Sequence, residues 1–257
     1  MKKKIIILGS TGSIGKTTFN LVSKNKKNFD IELLSTNKNT YELIKQAKNF
    51  KVKHLIISDY KSFIYAKKKY CNLNINFYNS FSVISKILKR KKIFYSMVSL
   101  VGIEGLNPTL KLIKFSENIA IANKESIICG WTLIKKVLTQ HKTNFIPVDS
   151  EHFSIYSLLK NKNNKVIDKI FITASGGPFL NYSKSQLLKV KLKDSLNHPN
   201  WKMGKKITID SSTMMNKVFE VIEAKNIFEV GYDQIQILTH PSSYVHAMIK
   251  FNNGITK

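Results

Sequence analysis

The sequence predicts an α/β protein built in two parts, and three observations lead to this prediction. Strand and helix patterns alternate over the first part of the 257 residues, a glycine-rich turn joins the first predicted strand to the first helix, and the alternation ends near residue 150. Strands that alternate with helices form βαβ units around a mostly parallel sheet. We therefore predict an α/β domain over residues 1–149 and an α+β domain over residues 150–257.

The elements of the first part follow from hydrophobic periodicity and from runs of β-branched residues. Strands are predicted over residues 3–8, 30–36, 54–59, 93–100, 118–123 and 145–148. Helices are predicted over residues 14–24 and 41–50, in the lysine-rich stretch after residue 59, and after Gly105.

The second part mixes helices and strands. Helices are predicted over residues 152–160 and 212–224, a strand over residues 169–173, and further strands after residue 234. "FNNGIT" near the end indicates a β-hairpin, because Asn-Gly between apolar residues favours a type I′ turn. The returning strand would start at Ile255, whereas the sequence stops at Lys257, so we expect the natural chain to continue.

The net charge of +26 is the strongest compositional signal. Such a charge can attract nucleic acids or anionic membranes. However, Arg90 is the only arginine, whereas direct base readout depends on arginine forks, and the lysines are spread along the whole chain. We therefore expect a solvated basic surface with no nucleic-acid or membrane partner, which can still draw in phosphorylated substrates.

The two cysteines, Cys71 and Cys129, are far apart and lack metal-ligand spacing, so no disulfide framework is expected. No apolar run is long enough to span a bilayer. The short apolar stretch near the N-terminus runs directly into a glycine-rich turn, which indicates a strand rather than a signal peptide. These features favour a cytoplasmic location.

The stretch "ILGSTGSIG" places Gly9, Gly12 and Gly15 between the first strand and the first helix. Glycines at this point permit a tight turn and bring the helix N-terminus close to a pyrophosphate. The pattern is a variant of the dinucleotide fingerprint and predicts a Rossmann-like domain, with a simple tight turn as the alternative. After the second strand, "STNKNT" offers Asn37, Lys38 and Asn39 instead of the acid that holds the ribose of NAD, so the sequence favours NADP.

Asp149 and Glu151 in "PVDSEH" form an i, i+2 pair of acids at the end of a predicted strand. In an extended backbone such residues point to the same side, and two converging carboxylates attract a divalent cation. Asp149 or Ser150 could instead cap the next helix. Spacing alone favours neither interpretation.

A third acid, Glu220, favours the metal site. Asn216, Lys217 and Glu220 share one face of the predicted helix, which fits either a polar site or a surface salt bridge. Hydroxyls and free N–H groups in "DSST" at the predicted helix start could hold a phosphate.

The stretch "HPNWKMG" places Trp201 in a turn-rich loop. A large aromatic side chain is usually buried, and either a lid that closes over a ligand or an anchor to the core would bury this one.

Together these stretches resemble the 1-deoxy-D-xylulose 5-phosphate reductoisomerase family. The motifs that carry the resemblance are "GSTGSIG", "ANKES", "PVDSEH", "TASGGPF", "HPNWKMGKKITIDSSTMMNK" and "EVIEA", in this order along the whole chain. The resemblance implies a homodimeric enzyme of isoprenoid precursor synthesis that uses NADPH and Mg²⁺, Mn²⁺ or Co²⁺. It would rearrange and reduce a small phosphorylated sugar, 1-deoxy-D-xylulose 5-phosphate, to 2-C-methyl-D-erythritol 4-phosphate.

The resemblance also implies roles for individual residues. The metal ligands would be Asp149, Glu151 and Glu220, and Lys124 and His198 would join them as catalytic residues. Substrate contacts would come from Lys124, Ser150, Glu151, Ser175, His198, Trp201, Ser211, Asn216, Lys217 and Glu220. NADPH contacts would come from Thr11, Gly12, Ser13, Ile14, Asn37, Lys38, Asn39, Asn123, Glu125 and Gly204.

Members of this family continue through the rest of the catalytic domain into a C-terminal helical domain. The resemblance therefore implies that residues 1–149 form the NADPH-binding domain, that residues 150–257 form an incomplete, truncated catalytic domain, and that the C-terminal helical domain is missing. Two alternatives stay open. One is an inactive, truncated remnant of this enzyme, and the other is a basic polyanion-binding protein, which would leave the three acids unexplained.

Overall fold

The computed structural model describes residues 2–89, 91–159, 164–196 and 205–257. The chain divides into two compact units, Met1–Pro147 and Val148–Lys257. The sequence prediction placed Asp149 at the end of the first domain, whereas the compact units place it in the second. Among the described residues, no helix is both long and apolar enough to cross a membrane.

The first unit is built on a seven-stranded parallel sheet. Its strands are β1 (Lys3–Leu8), β2 (Phe29–Thr36), β3 (His54–Ile57), β4 (Asn76–Tyr78), β5 (Ile93–Val98), β6 (Ser116–Ile121) and β7 (Asn144–Pro147). Their order is β4-β3-β2-β1-β5-β6-β7, so the direction of winding reverses between β1 and β5. Ligands of open parallel sheets bind at such a switch point, beyond the carboxyl ends of the strands.

Helices alternate with these strands along the chain. They are α1 (Ser13–Lys24), α2 (Thr40–Phe50), α3 (Tyr60–Lys69), α4 (Ile84–Leu88), α5 (Leu106–Ile113) and α6 (Lys124–His141). Continuous apolar strands such as β1, where Ile6, Ile7 and Leu8 are fully buried, are typical of a parallel sheet covered on both faces. The predicted α/β fold is confirmed, although the sequence patterns did not identify β4, α4 or α6.

Two glycines between β1 and α1 are required by packing. Gly9 has a φ of +78°, and a Cβ there would lie 2.4 Å from the carbonyl oxygen of Ser99. A Cβ at Gly15 would lie 2.2 Å from the carbonyl oxygen of Gly9. At Gly12 the nearest atom would be 3.4 Å away, an ordinary contact. Gly9 and Gly15 therefore allow close approach of the backbone, whereas Gly12 has space around it.

The second unit combines a mixed sheet with five helices among its described residues. The strands are β8 (Ile167–Ala174), β9 (Ile235–Thr239) and β10 (Ala247–Phe251), and β8 lies between β10, to which it is antiparallel, and β9, to which it is parallel. The helices are α7 (Ser150–Leu158), α8 (Lys184–Leu187), α9 (Leu192–Ser195), α10 (Lys205–Ser212) and α11 (Met215–Phe228). Ile155, Ile170, Phe228 and Ile249 belong to one core that joins α7 and α11 to the sheet. The predicted α+β class is confirmed.

The helix predicted over residues 212–224 begins later, and the residues before it are also helical. Met214 has a φ of 60° and separates α10 from α11. The Ser212 and Thr213 hydroxyls donate hydrogen bonds to the Ile209 carbonyl oxygen at 2.8 and 3.3 Å. These hydroxyls bond backwards into the preceding turn, so the prediction that "DSST" stands at the start of this helix is wrong.

The predicted hairpin after β10 is present, but its turn differs from the prediction. Ile249 and Lys257 exchange two backbone hydrogen bonds of 2.9 Å, and the Phe251 N–H donates to the Ile255 carbonyl at 2.9 Å. A type I′ turn needs positive φ at both central residues. Gly254 has a φ of +84°, whereas Asn253 is not in the left-handed region, so the type I′ prediction is wrong.

Replacing Gly15 by alanine is expected to lower the free energy of unfolding of the first unit by about 1–3 kcal/mol, because the added methyl group meets the Gly9 carbonyl oxygen. Alanine is otherwise the better helix former by roughly 1 kcal/mol, so a loss of stability identifies the clash. Gly12→Ala is the matched control, since it adds the same group where there is room. Urea unfolding followed by circular dichroism checks this, and a Gly15→Ala chain as stable as the native one would contradict it.

Candidate functional site

A cavity of about 610 Å³ lies at the switch point of the first unit's sheet. Its walls are the glycine loop after β1 and the loops that follow β2, β3, β4 and β5. The lining residues are Gly9, Thr11, Gly12, Thr36, Asn37, Lys38, Asn39, Ser58, Phe81, Ser99, Leu100, Val101, Glu104 and Gly105. This volume is typical of a small-molecule or cofactor site.

Seven of the predicted cofactor residues lie at or beside this cavity. Thr11, Gly12, Asn37, Lys38 and Asn39 line it. Ser13 and Ile14 form the start of α1, next to the lining residue Gly12. The first N–H groups of a helix have no acceptor within the helix, so the start of α1 offers backbone donors to an anion.

Hydrogen bonds to β2 and α2 hold the glycine loop in place. The Gly9 N–H donates to the Ser35 hydroxyl at 2.8 Å, and the Ser10 N–H donates to the Ser35 carbonyl at 2.9 Å. The amide of Gln46 donates to the Ser10 carbonyl at 3.0 Å. These three hydrogen bonds fix the backbone of the loop against β2 and α2.

The edge of the cavity after β2 carries one cation and two amides. Asn39 caps α2, where its side chain accepts a hydrogen bond from the Glu42 N–H at 3.1 Å. The Asn37 amide donates to the Ser58 hydroxyl at 2.8 Å. Lys38 lies between them and is exposed. Because amides carry no net charge, the positive charge that this edge presents to a ligand comes from Lys38.

Asn123, at the start of α6, shapes the loop after β5. Its side-chain amide donates to the carbonyl oxygens of Leu100 and Gly102 at 2.8 and 2.9 Å. Its Oδ1 accepts a hydrogen bond from the Ser126 N–H at 2.6 Å. Asn123 is fully buried, so the structure assigns it the support of a loop that lines the cavity.

The sequence patterns did not single out the part of the lining that follows β5. Ser99 and Glu104 belong to this part. The predicted strand over residues 93–100 ends there, but only the sheet order places that end beside the glycine loop. Lys124 and Glu125 lie in the first turn of α6 and are not among the lining residues.

In the second unit, Asp149, Glu151 and Glu220 form a cluster of carboxylates. One oxygen of each lies within 4.8 Å of the others. Asp149 is also the N-cap of α7, since its Oδ1 accepts a hydrogen bond from the Glu151 N–H at 3.2 Å. Asp149 is therefore a helix cap and a member of the acidic cluster. The prediction of an extended backbone between the two acids is wrong, because Glu151 already lies in the first turn of α7.

Helix α11 supplies the third acid and two further polar groups. The Asn216 amide donates to Glu220 Oε1. Lys217 Nζ lies 2.5 Å from Glu220 Oε2 and 2.7 Å from Glu151 Oε1. The predicted shared face of Asn216, Lys217 and Glu220 is confirmed, and Lys217 connects α11 to α7. The Ser150 hydroxyl donates to Glu151 Oε2 at 2.7 Å.

The cluster has more negative charge than its own cation balances. Burial disfavours the charged form of Lys217, but the carboxylates of Glu220 and Glu151 outweigh this effect and raise its pKa. Three acidic side chains thus surround a single basic one. Carboxylate oxygens are the preferred ligands of Mg²⁺ and Mn²⁺, so the donor set of Asp149, Glu151 and Glu220 fits a hard divalent cation.

A glycine turn brings Ser175 and Ser211 near each other. Gly176 and Gly177 follow Ser175 with φ values of +87° and +69°, and a Cβ at Gly177 would lie 2.8 Å from the Ser211 carbonyl oxygen. The Gly177 N–H donates to the Ser175 hydroxyl at 3.3 Å. Ser211 lies in the last turn of α10, so the prediction that it stands at a helix N-terminus is wrong.

Three predicted site residues, His198, Trp201 and Gly204, lie outside the described residues. The predicted lid around Trp201 lies outside them as well.

Two family models match most of the chain. The model described as 1-deoxy-D-xylulose 5-phosphate reductoisomerase matches residues 5–130. The model of the C-terminal domain of the same enzyme matches residues 145–228. The first match contains the glycine loop and the cavity, and the second contains the carboxylate cluster.

Curated relatives and solved structures agree with these matches. A 1-deoxy-D-xylulose 5-phosphate reductoisomerase of Pelagibacter ubique (strain HTCC1062) is 57% identical over 99% of the chain, which spans 66% of that relative's length. The structure of the Zymomonas mobilis enzyme in complex with NADPH has a TM-score of 0.90 at 31% identity, and covers 100% of this chain and 66% of its own. A second reductoisomerase structure, in complex with NADPH, fosmidomycin and magnesium, has a TM-score of 0.90 at 31% identity over 99% of this chain and 65% of its own.

Replacing Lys217 by methionine is expected to lower the free energy of unfolding of the second unit by about 3 kcal/mol, because the buried carboxylate of Glu220 and the partly buried one of Glu151 lose their shared ammonium. The pKa of Lys217 is raised in the folded chain, so this contribution is complete below the ordinary pKa of lysine and is lost as the pH rises through the folded value. Millimolar Mg²⁺ should restore part of the stability, because a cation that binds only the folded chain stabilises it.

The matched control for this prediction is Lys206→Met, which removes a more exposed lysine of the same unit, paired with Asp210. Exposed pairs contribute no more than about 1 kcal/mol. Thermal unfolding at neutral pH, with EDTA and with Mg²⁺, measures both variants. Equal midpoints for the native and Lys217→Met chains in EDTA would contradict the electrostatic argument.

Proposed function

The chain belongs to the 1-deoxy-D-xylulose 5-phosphate reductoisomerase family, and from this premise we propose that it converts 1-deoxy-D-xylulose 5-phosphate to 2-C-methyl-D-erythritol 4-phosphate. The reaction would use NADPH and a divalent cation and would serve isoprenoid precursor synthesis. The observation that carries the proposal is the convergence of Asp149, Glu151 and Glu220 within 4.8 Å, in a chain with 16 acids against 42 lysines and arginines.

The cavity of the first unit supports NADPH as the reductant. Both solved relatives described above contain NADPH. In this chain the N–H groups at the start of α1 would bind the pyrophosphate, and Lys38 would pair with the 2′-phosphate through a charge-assisted hydrogen bond. When bound, NADPH would supply the hydride that reduces the rearranged aldehyde to the alcohol, and a proton would complete the reduction.

The carboxylate cluster supports a divalent cation, Mg²⁺ or Mn²⁺, with Co²⁺ as a further candidate. Asp149, Glu151 and Glu220 would be the ligands. When bound, the cation would stabilise negative charge on substrate oxygens while the carbon skeleton rearranges. Lys217 contacts two of these carboxylates, which supports a role in which its ammonium would also donate to a substrate oxygen.

The remaining proposed contacts surround this cluster or follow from the family resemblance. Ser150 and Asn216 hold Glu151 and Glu220 by hydrogen bonds and would face the substrate hydroxyls. Ser175 and Ser211, which approach each other through Gly177, would contact the phosphate. Lys124, His198 and Trp201 are proposed on the resemblance alone.

The partners of the chain are also proposals. The chain spans 66% of the length of its Pelagibacter relative, which is slightly less than two thirds. We propose a cytoplasmic homodimer that binds a small phosphorylated sugar and no nucleic acid or membrane. The dispersed lysines and the single arginine support the lack of a nucleic-acid partner, and the two cysteines, far apart in sequence, support the cytoplasm. The homodimer and the sugar substrate are proposed on the family resemblance.

The proposed activity predicts oxidation of NADPH when the chain is mixed with 1-deoxy-D-xylulose 5-phosphate and Mg²⁺ or Mn²⁺. The rate of NADPH oxidation, measured by its absorbance, should be at least about a hundredfold lower in Asp149→Asn and in Glu220→Gln, because each variant lacks one anionic metal ligand. Asp168→Asn is the matched control, since it removes an acid of the same unit that pairs with Lys250 outside the cluster.

A chain that binds NADPH and Mn²⁺ but never turns over the substrate would contradict the proposed activity and support the inactive remnant. Activity that is unchanged in Asp149→Asn and Glu220→Gln would contradict the role of the carboxylate cluster.

Replacing Lys38 by alanine is expected to weaken NADPH binding about tenfold and to leave NADH binding nearly unchanged, because only NADPH has the 2′-phosphate that the ammonium would pair with. Lys45→Ala is the control, since Lys45 is an exposed lysine of α2 that does not line the cavity. Dissociation constants from fluorescence titration with both cofactors check this. If the native chain binds NADH as tightly as NADPH, the preference for NADP is contradicted.

A further inference from the structure

A second set of potential ligand atoms lies behind the carboxylate cluster. Asp149, His152 and Glu223 each place one such atom within 4.8 Å of the others, so Asp149 belongs to both sets. The side chain of Asp149 is 17% exposed, whereas those of His152 and Glu223 are 1% and 2% exposed. His152 and Glu223 therefore lie on the interior side of Asp149, and the sequence analysis assigned no role to either.

The imidazole of His152 is held by a hydrogen bond and by an aromatic contact. Its Nε2 lies 2.9 Å from the backbone carbonyl oxygen of Glu220. A carbonyl oxygen only accepts hydrogen bonds, so Nε2 carries a proton and donates it. The ring also stacks on Phe228, with ring centres 6.3 Å apart and planes at 30°. Phe228 belongs to the core of the unit, so the ring is fixed against a rigid part of the structure.

The remaining nitrogen of the ring faces two carboxylates. His152 Nδ1 lies 3.5 Å from Asp149 Oδ1 and 3.7 Å from Glu223 Oε2. It is buried and has no hydrogen-bond partner among the described residues. The ring therefore faces the carboxylate of Asp149 and that of Glu223 with the same nitrogen. Glu223 thus acts on Asp149 through the ring.

His152 also connects the two helices that carry the predicted metal ligands. It belongs to α7, as does Glu151, and its Nε2 bonds to the backbone of α11 at Glu220. A shift of the ring would therefore change the position of Asp149 on one side and of Glu220 on the other. Groups that orient metal ligands in this way typically change metal affinity by about 10–100-fold when they are removed.

We propose that Glu223 is a positioning residue that acts through His152 to hold Asp149 and Glu220 in the arrangement that binds the divalent cation. This inference rests on the proposed function, since it assumes that the carboxylate cluster holds a cation. Neither Glu223 nor His152 needs to contact the cation or the substrate for this role.

Titration of the 257-residue chain with Mn²⁺, followed by the EPR signal of free Mn²⁺, tests the proposal. The Glu223→Gln variant, which keeps the size of the side chain and removes its charge, should bind Mn²⁺ about tenfold more weakly than the native chain. His152→Gln, which keeps an amide that can reach the Glu220 carbonyl, should lose a similar factor. In the double variant the losses should not add, because both changes break the same connection.

Two controls separate positioning from a general loss of stability or from direct ligation. Ile249→Val alters a fully buried core residue of the same unit and should lower the unfolding midpoint without changing Mn²⁺ affinity. Nitrogen couplings in the pulsed EPR spectrum of bound Mn²⁺ would show His152 to be a direct ligand and would overturn the positioning role.

The outcomes distinguish this inference from the proposed function. If the native chain binds no Mn²⁺, the metal site itself is wrong and the positioning role is overturned with it. If the native chain binds Mn²⁺ and either folded variant binds it equally well, or if the two losses add, the metal site stands and the positioning role alone is overturned. Should one variant fail to fold, the other decides the question in the same way.

Discussion

The carboxylates of Asp149, Glu151 and Glu220 can converge only because positive charge compensates them. Two unit charges about 4 Å apart interact by roughly 4 kcal/mol at an effective dielectric constant of 20, and three carboxylates add three such repulsions. The N-terminus of α7, the Asn216 amide and the Lys217 ammonium offset part of this energy. Lys217 bonds to a carboxylate on each helix, so this compensation adds to the apolar core that joins α7 and α11. A divalent cation would complete the compensation.

This local acidity contrasts with the charge of the whole chain. The net charge is +26 with 16 acids, yet α11 buries two glutamates, Glu220 and Glu223, each 1% exposed. Buried acids lower stability unless they are paired or bind a cation. Their presence in an acid-poor chain is therefore better explained by a site than by composition. The abundant lysines account for the basic, solvated surface, but they do not predict the buried carboxylates.

The two units build their candidate sites in different ways. The cavity of the first unit is shaped by backbone. Gly9 lets the loop after β1 approach Ser99 after β5, and Gly15 lets α1 approach that loop. Hydrogen bonds from the loop to β2 hold it in place. The cluster of the second unit is shaped by charged side chains on two helices. Backbone N–H groups suit the phosphates of a dinucleotide, whereas carboxylates suit a cation. The first unit is therefore suited to an anionic ligand and the second unit to a cation.

The sequence by itself determined what depends on neighbours along the chain. The parallel α/β order, the glycine loop and the shared face of Asn216 and Glu220 follow from periodicity and short spacings, and all three hold in the structure. Only the tertiary structure decided that Asp149 both caps α7 and joins the cluster, that Met214 separates two helices, and that Glu223 stands behind His152. These features depend on contacts between distant residues, such as His152 and Glu220, 68 positions apart. Local periodicity carries no information about such distances, because it is the packing of helices and strands that sets them.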